Sequence, residues 1–227
     1  MTESRTPGRP PLAPLLALLA IALVLTAGLG VIAASRGFDD GDDLAATSAS
    51  TGPFRGGVLP KEIERKPAPS FRLRDVRGGV LDTRELRGTP YALTFLYVNC
   101  PDVCPLIGQE IRAALQRLGP RADELAVLAI SVDPAGDTPQ AVRAWLTRQR
   151  LPDNFHYLIG DESDLEPVWD AHYAAPQIPG RPESSHSASI WLIDAQGRWR
   201  TKFSAGFPIP PEDLAHDFRI LLRERAR

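Results

Sequence analysis

Tyr91-Ala-Leu-Thr-Phe-Leu-Tyr97-Val98-Asn99-Cys100-Pro101-Asp102-Val103-Cys104-Pro105 carries both cysteines of this 227-residue chain. Tyr91 to Tyr97 is a continuous apolar run, the pattern of a central strand covered on both faces. Beyond the cysteines, Ile107, Ile111, Ala114, Leu115 and Leu118 recur at helical spacing until Gly119-Pro120 stops them. If the helix opens at or just after Cys100, positions i and i+4 bring both sulfurs to one face at its N-terminal end. The partial positive charge and free N–H groups there favour thiolate over thiol. Two convergent thiolates can close a disulfide, since i,i+4 Cα atoms lie roughly 6 Å apart. The same pair can hold a soft metal ion.

The flanking segments alternate strand and helix. Before the central strand, Ser70-Phe71-Arg72-Leu73, Arg77-Gly78-Gly79 and Val80-Leu81 form a hairpin signature. After the cysteine helix, Leu125 to Val132 is a second buried strand. Thr138 then caps a helix with Pro139 at its first position, ending near Arg150. Phe155 to Ile159 is a short strand and Asp161 to about Tyr173 a helix. Ala188 to Ile193 turns through Asp194-Ala-Gln-Gly197 into Arg198 to Phe203, and Pro211 to Arg225 is amphipathic. Parallel βαβ units followed by an antiparallel hairpin and a helix specify an α/β, thioredoxin-like domain with an N-terminal hairpin extension. In such an open sheet the reactive residues lie where strands end in loops, as Cys100 does.

Residues 10 to 35 contain no charged side chain. The apolar run at 11–35 is long enough to span the ~30 Å hydrocarbon layer as one helix. Arg5 and Arg9 precede it and Asp39, Asp40, Asp42 and Asp43 follow it. This places residues 1–10 in the cytoplasm and the remainder outside the plasma membrane. The alternative is a signal peptide cleaved near Ala33-Ala34-Ser35. Residues 36–57, rich in Gly, Ser, Ala, Thr and Asp, read as a flexible linker, which leaves 58–227 as the globular domain. Either topology exposes the cysteines to an oxidising compartment, where they must be reduced before they can bind metal. The formal net charge of −2 and the scattered arginines exclude a nucleic-acid-binding stripe.

Of the four histidines, His186 stands out, between a Pro/Gly-rich loop and a strand. Two thiolates and one imidazole make a soft ligand set that suits copper better than hard ions. His156, His172 and His216 fall in strand or helix contexts that favour packing or surface roles. Asp133 ends the second buried strand, at the edge occupied by Cys100 if the two strands are parallel. It is either a turn residue before Pro134 or a carboxylate that orients His186 or guides metal entry. Asp102 reads as the N-terminal cap of the cysteine helix.

These residues resemble the SCO/SenC copper chaperones. The resemblance rests on Cys100-Pro-Asp-Val-Cys-Pro105, Ser131-Val-Asp-Pro134 with Asp137-Thr-Pro139, His186-Ser-Ala and Trp191-Leu-Ile-Asp194 with Gly197. It extends to Pro67-Ala-Pro69-Ser-Phe71 and Leu86-Arg87-Gly88, and so covers about residues 66 to 204. It implies a membrane-anchored metallochaperone that holds copper through Cys100, Cys104 and His186. The recipient would be the binuclear copper site of cytochrome c oxidase. The implied partners are the copper-bearing oxidase subunit and either a thioredoxin-like reductant or another copper carrier. Two positions depart from the family pattern: Asn99 stands where His is common, and Ser184-Ser185 where Val-Asp is common. The alternative is an extracytoplasmic thiol–disulfide oxidoreductase, with Cys100 as nucleophile and Cys104 as resolving partner, joined in a disulfide when oxidised. A peroxidase fits less well, because peroxide reduction requires one activated cysteine beside Thr and Arg in a tight loop.

Overall fold

The computed structural model describes residues 52–176, 189–204 and 208–225. The membrane span expected at 11–35 and His186 lie outside them. Among the described residues no helix is long and apolar enough to cross a membrane.

Among the described residues, seven strands form one sheet. β1 (Arg72–Asp75) and β2 (Val80–Asp82) are the expected hairpin, paired antiparallel with Leu73 opposite Leu81. Its turn uses Gly78 and Gly79, both at positive φ (123° and 79°), a conformation that glycine adopts without steric cost. β3 (Tyr91–Leu96), β4 (Ala126–Ser131) and β5 (Phe155–Ile159) are parallel, linked by α1 (Val103–Leu118) and α2 (Pro139–Gln149). α3 (Glu162–Ala171) leads to β6 (Ser189–Ile193), which runs antiparallel to β3, and β7 (Trp199–Ser204) pairs antiparallel with β6. α4 (Pro211–Arg225) closes the chain. The strand order is β2-β1-β5-β4-β3-β6-β7, the mixed α/β, thioredoxin-like arrangement that the alternating pattern predicts.

Every residue of β3 and β4 is buried, which explains why these strands read as unbroken apolar runs. α1 packs against α4, and its Ile107, Ile111, Ala114, Leu115 and Leu118 are buried. Burying each Leu or Ile there contributes roughly 1.5–3 kcal/mol. α2 sits close to α1 at Gly108, where an added Cβ would lie 3.1 Å from the Trp145 ring. Trp145 in turn meets Tyr157 of β5 edge-on, with ring centroids 5.9 Å apart.

The linker expected at 36–57 differs at its end. Residues 52–57 belong to the folded body, as a strap over β7 and α4. The Arg55 and Gly56 N–H groups donate to the buried Asp217 carboxylate at 2.8–3.0 Å. Gly57 N–H donates to the Lys202 carbonyl at 2.8 Å, and the Phe54 ring lies 4.9 Å under the Arg200 guanidinium. Polar, glycine-rich composition describes a segment with no core of its own. It does not register that backbone N–H groups can be captured by a carboxylate 161 residues away.

Candidate metal and thiol centre

β3 delivers the chain to the carboxyl edge of the sheet, where it turns sharply. The Cys100 N–H closes that turn onto the Tyr97 carbonyl at 3.3 Å. The helix opens at Val103, not at Cys100, with Asp102 as its N-cap accepting the Val103 N–H. Cys100 therefore precedes the helix, and the stacking expected for two helical positions is replaced by a cap-like contact. The Cys104 N–H, in the first turn of α1, points at Cys100 Sγ across 3.3 Å. One of the first-turn N–H groups of the helix thus faces sulfur, an arrangement suited to a thiolate. The Cys100 thiol lies 3.7 Å from the Asp102 carboxylate oxygen that would accept its proton.

No disulfide joins the two cysteines; Cys100 is 6% exposed and Cys104 fully buried. The hydrogen bond to Cys100, together with burial, holds the Cys104 thiol far above the ordinary range. The Tyr97 hydroxyl is pushed up by burial and then by the nearby Cys100 sulfur. Both are thus buried, and Cys100 keeps the small remaining exposure.

Asp133 lies where the parallel register of β3 and β4 predicts, at the Cys100 edge, since Leu96 pairs with Ser131. Its carboxylate accepts the Gly136 N–H at 3.0 Å, so it performs the turn role. It also neighbours Asn99: a Cβ on Gly136 would collide with the Asp133 carboxylate and lie 2.8 Å from Asn99 Nδ2. Asp102 performs the capping role expected of it. β6 begins at this same edge, and His186 precedes Ser189 by three positions in the sequence. Among the described residues no group of three or more His, Cys, Asp or Glu side chains is arranged to hold a metal ion.

The other histidines have packing or surface roles. His156 Nδ1 lies 2.7 Å from Asp75 and His216 Nδ1 lies 2.9 Å from Asp217. His172 is buried among Phe71, Phe95 and Trp199, and burial pushes its pKa down. Its Nδ1 lies 2.8 Å from the Val168 carbonyl.

Beneath the cysteine turn lies a buried polar cluster that pattern reading missed. Asp137 meets Ser131 and Tyr157 there, and burial raises its carboxyl to about 6 despite three hydrogen bonds. In the sequence, Ser131 and Asp137 stand in the motifs that carry the resemblance, but an Asp directly before the cap Thr138 says nothing of the partners it will bind.

The family model described as SCO1/SenC matches residues 61–223. A SCO2-like protein of Rickettsia felis is 27% identical over 159 residues, covering 66% of this chain and 76% of that protein. The structure of Bradyrhizobium japonicum ScoI, solved with copper bound, superposes with a TM-score of 0.59 at 30% identity, covering 69% of this chain and 99% of that one. BsSco, described as a member of the Sco family of cytochrome c oxidase assembly proteins, shares the fold with a TM-score of 0.61 at 20% identity, over 71% of this chain and 98% of its own.

Proposed function

Because this chain belongs to the SCO1/SenC family, we propose that it is a copper chaperone that serves the assembly of cytochrome c oxidase. Copper is its cargo, and the recipient is the copper-bearing oxidase subunit. The observation that carries this reading is the Cys100–Cys104 pair, not joined in a disulfide, with the Cys104 backbone N–H 3.3 Å from Cys100 Sγ at a helix N-terminus. Two soft donors with little access to water fit a soft ion, and they fit a hard cation poorly. His186 is the third ligand, completing an S,S,N set. Asp133, close to Asn99 at the Cys100 edge of the sheet, guides metal entry.

The apolar segment 11–35 anchors the chain in the plasma membrane, with the domain on the extracytoplasmic side. There the cysteine pair has to be reduced before it can take up copper, which assigns the thioredoxin-like reductant or a second copper carrier as further partners.

Thiol–disulfide exchange is the alternative that the same geometry favours, because the less buried sulfur, Cys100, can attack while Cys104 resolves. In that case the Cys100/Cys104 dithiol gives up two electrons and two protons as it closes to a disulfide, and the partner's disulfide is reduced to two thiols.

Copper titration of the reduced full-length chain, followed through thiolate-to-Cu(II) absorption, tests both. The chaperone reading expects one equivalent bound, lost in Cys100→Ser, Cys104→Ser and His186→Ala. A His186→Ala variant that binds like the parent removes the third ligand. A parent that binds no copper but exchanges with glutathione is an oxidoreductase.

A further inference from the structure

The loop after β4 folds over the turn after β3, and one side chain joins them. Asp137 is 3% exposed. Its Oδ1 accepts the Val98 N–H at 2.8 Å, and its Oδ2 accepts the Ser131 hydroxyl at 2.6 Å and the Tyr157 hydroxyl at 2.9 Å. These donors come from the cysteine turn, the end of β4 and the middle of β5. The β3–β4 ladder has ended by then, its last bond running from Val132 N–H to the Leu96 carbonyl at 3.0 Å. Asp137 thus takes up an N–H that the sheet no longer pairs, two residues before Cys100. The loop is stiffened in turn by Asp137 N–H donating to the Asp133 carbonyl at 2.8 Å. A second contact reinforces the junction. Position 136 lacks a side chain, and that lets Asn99, the neighbour of Cys100, approach the loop.

We propose that Asp137 is a positioning residue for the Cys100–Cys104 pair. Acting through the Val98 N–H, it sets where the 97–100 turn holds the Cys100 sulfur relative to Cys104 on α1. This rests on the cysteine pair being the working site. Closure of a disulfide depends steeply on Cα separation and Cβ direction, so the dithiol–disulfide equilibrium reports the position directly. Removing it leaves three buried donors without their acceptor and frees the turn.

The test uses the full chain in detergent micelles, equilibrated in glutathione redox buffer, as the parent, Asp137→Asn, Asp137→Ala and Asp217→Ala. Asp217 anchors the strap 52–57 and serves as a destabilised control away from the turn. Asp137→Ala is expected to shift the Cys100–Cys104 equilibrium by about tenfold to a hundredfold, the scale on which misplacement acts. Asp137→Asn, which keeps an oxygen for the Val98 N–H, stays close to the parent, as does Asp217→Ala. An Asp137→Asn variant that shifts as far as Ala makes the effect one of charge and overturns positioning. So does an Asp137→Ala variant that leaves the equilibrium unchanged, or an Asp217→Ala variant that moves it equally. A parent with no copper band would sink the chaperone reading alone, because the disulfide equilibrium still scores Asp137. A parent that neither closes the disulfide nor binds copper overturns both.

Discussion

The backbone N–H of Cys104 donates to the sulfur of Cys100 across 3.3 Å, while the Cys104 sulfur itself is sealed from solvent. The pair is therefore asymmetric. Alkylation of the reduced protein by iodoacetamide should modify Cys100 first, with Cys104 reacting only after unfolding. Peptide mapping by mass spectrometry at successive times checks the order, and equal rates at the two sites would contradict it.

Asp217 holds the strap through two backbone N–H groups while fully buried. Asp217→Ala strands those donors and should destabilise the domain by about 2–4 kcal/mol. Protease cleavage within residues 52–57 should accelerate in parallel. A variant with parental stability and unchanged cleavage would mean that the strap is not held there.

Gly108 costs α1 about 1 kcal/mol of helix propensity relative to alanine. It nevertheless faces the Trp145 ring, 3.1 Å from where a Cβ would stand. Gly108→Val should overpack the α1–α2 contact and lower stability by about 1–3 kcal/mol, read from urea midpoints. Adding Trp145→Phe, which removes part of the obstructing ring, should recover some of the loss.

His172 gives stability a pH dependence. Its folded pKa is pushed below the ordinary value of about 6.5 by burial, so the unfolded chain takes up a proton there before the folded one does. Its contribution is intact above that value and is lost as pH falls below it. His172→Phe, set among Phe71, Phe95 and Trp199, should flatten the decline between pH 7 and pH 5. Thermal melts across that range measure it, and parallel slopes for parent and variant would refute the assignment.

The two-cysteine turn, the helix face from Ile107 to Leu118, the cap at Thr138 and the parallel core were legible in the sequence because each is local. Apolar periodicity, a capping hydroxyl and a Gly-Pro stop act within a few residues of where they are written. The start of α1 was legible as well, through Asp102 as its cap. Pro101 and Asp102 place the cap two residues beyond Cys100, and only the folded turn shows that Cys104 N–H then meets sulfur. Asp133 could be assigned to the correct edge through strand parallelism, yet its bond to the Gly136 N–H came from the loop's own conformation.

The order of strands and helices, the family and the two thiols follow from residue pattern alone, since burial periodicity and a four-residue spacing survive without coordinates. The strap on Asp217, the exposure difference between the sulfurs and the carboxylate of Asp137 under the cysteine turn do not. Each joins groups from separate elements. A polar residue's character says that it needs partners, and only the packed chain decides which ones burial leaves within reach.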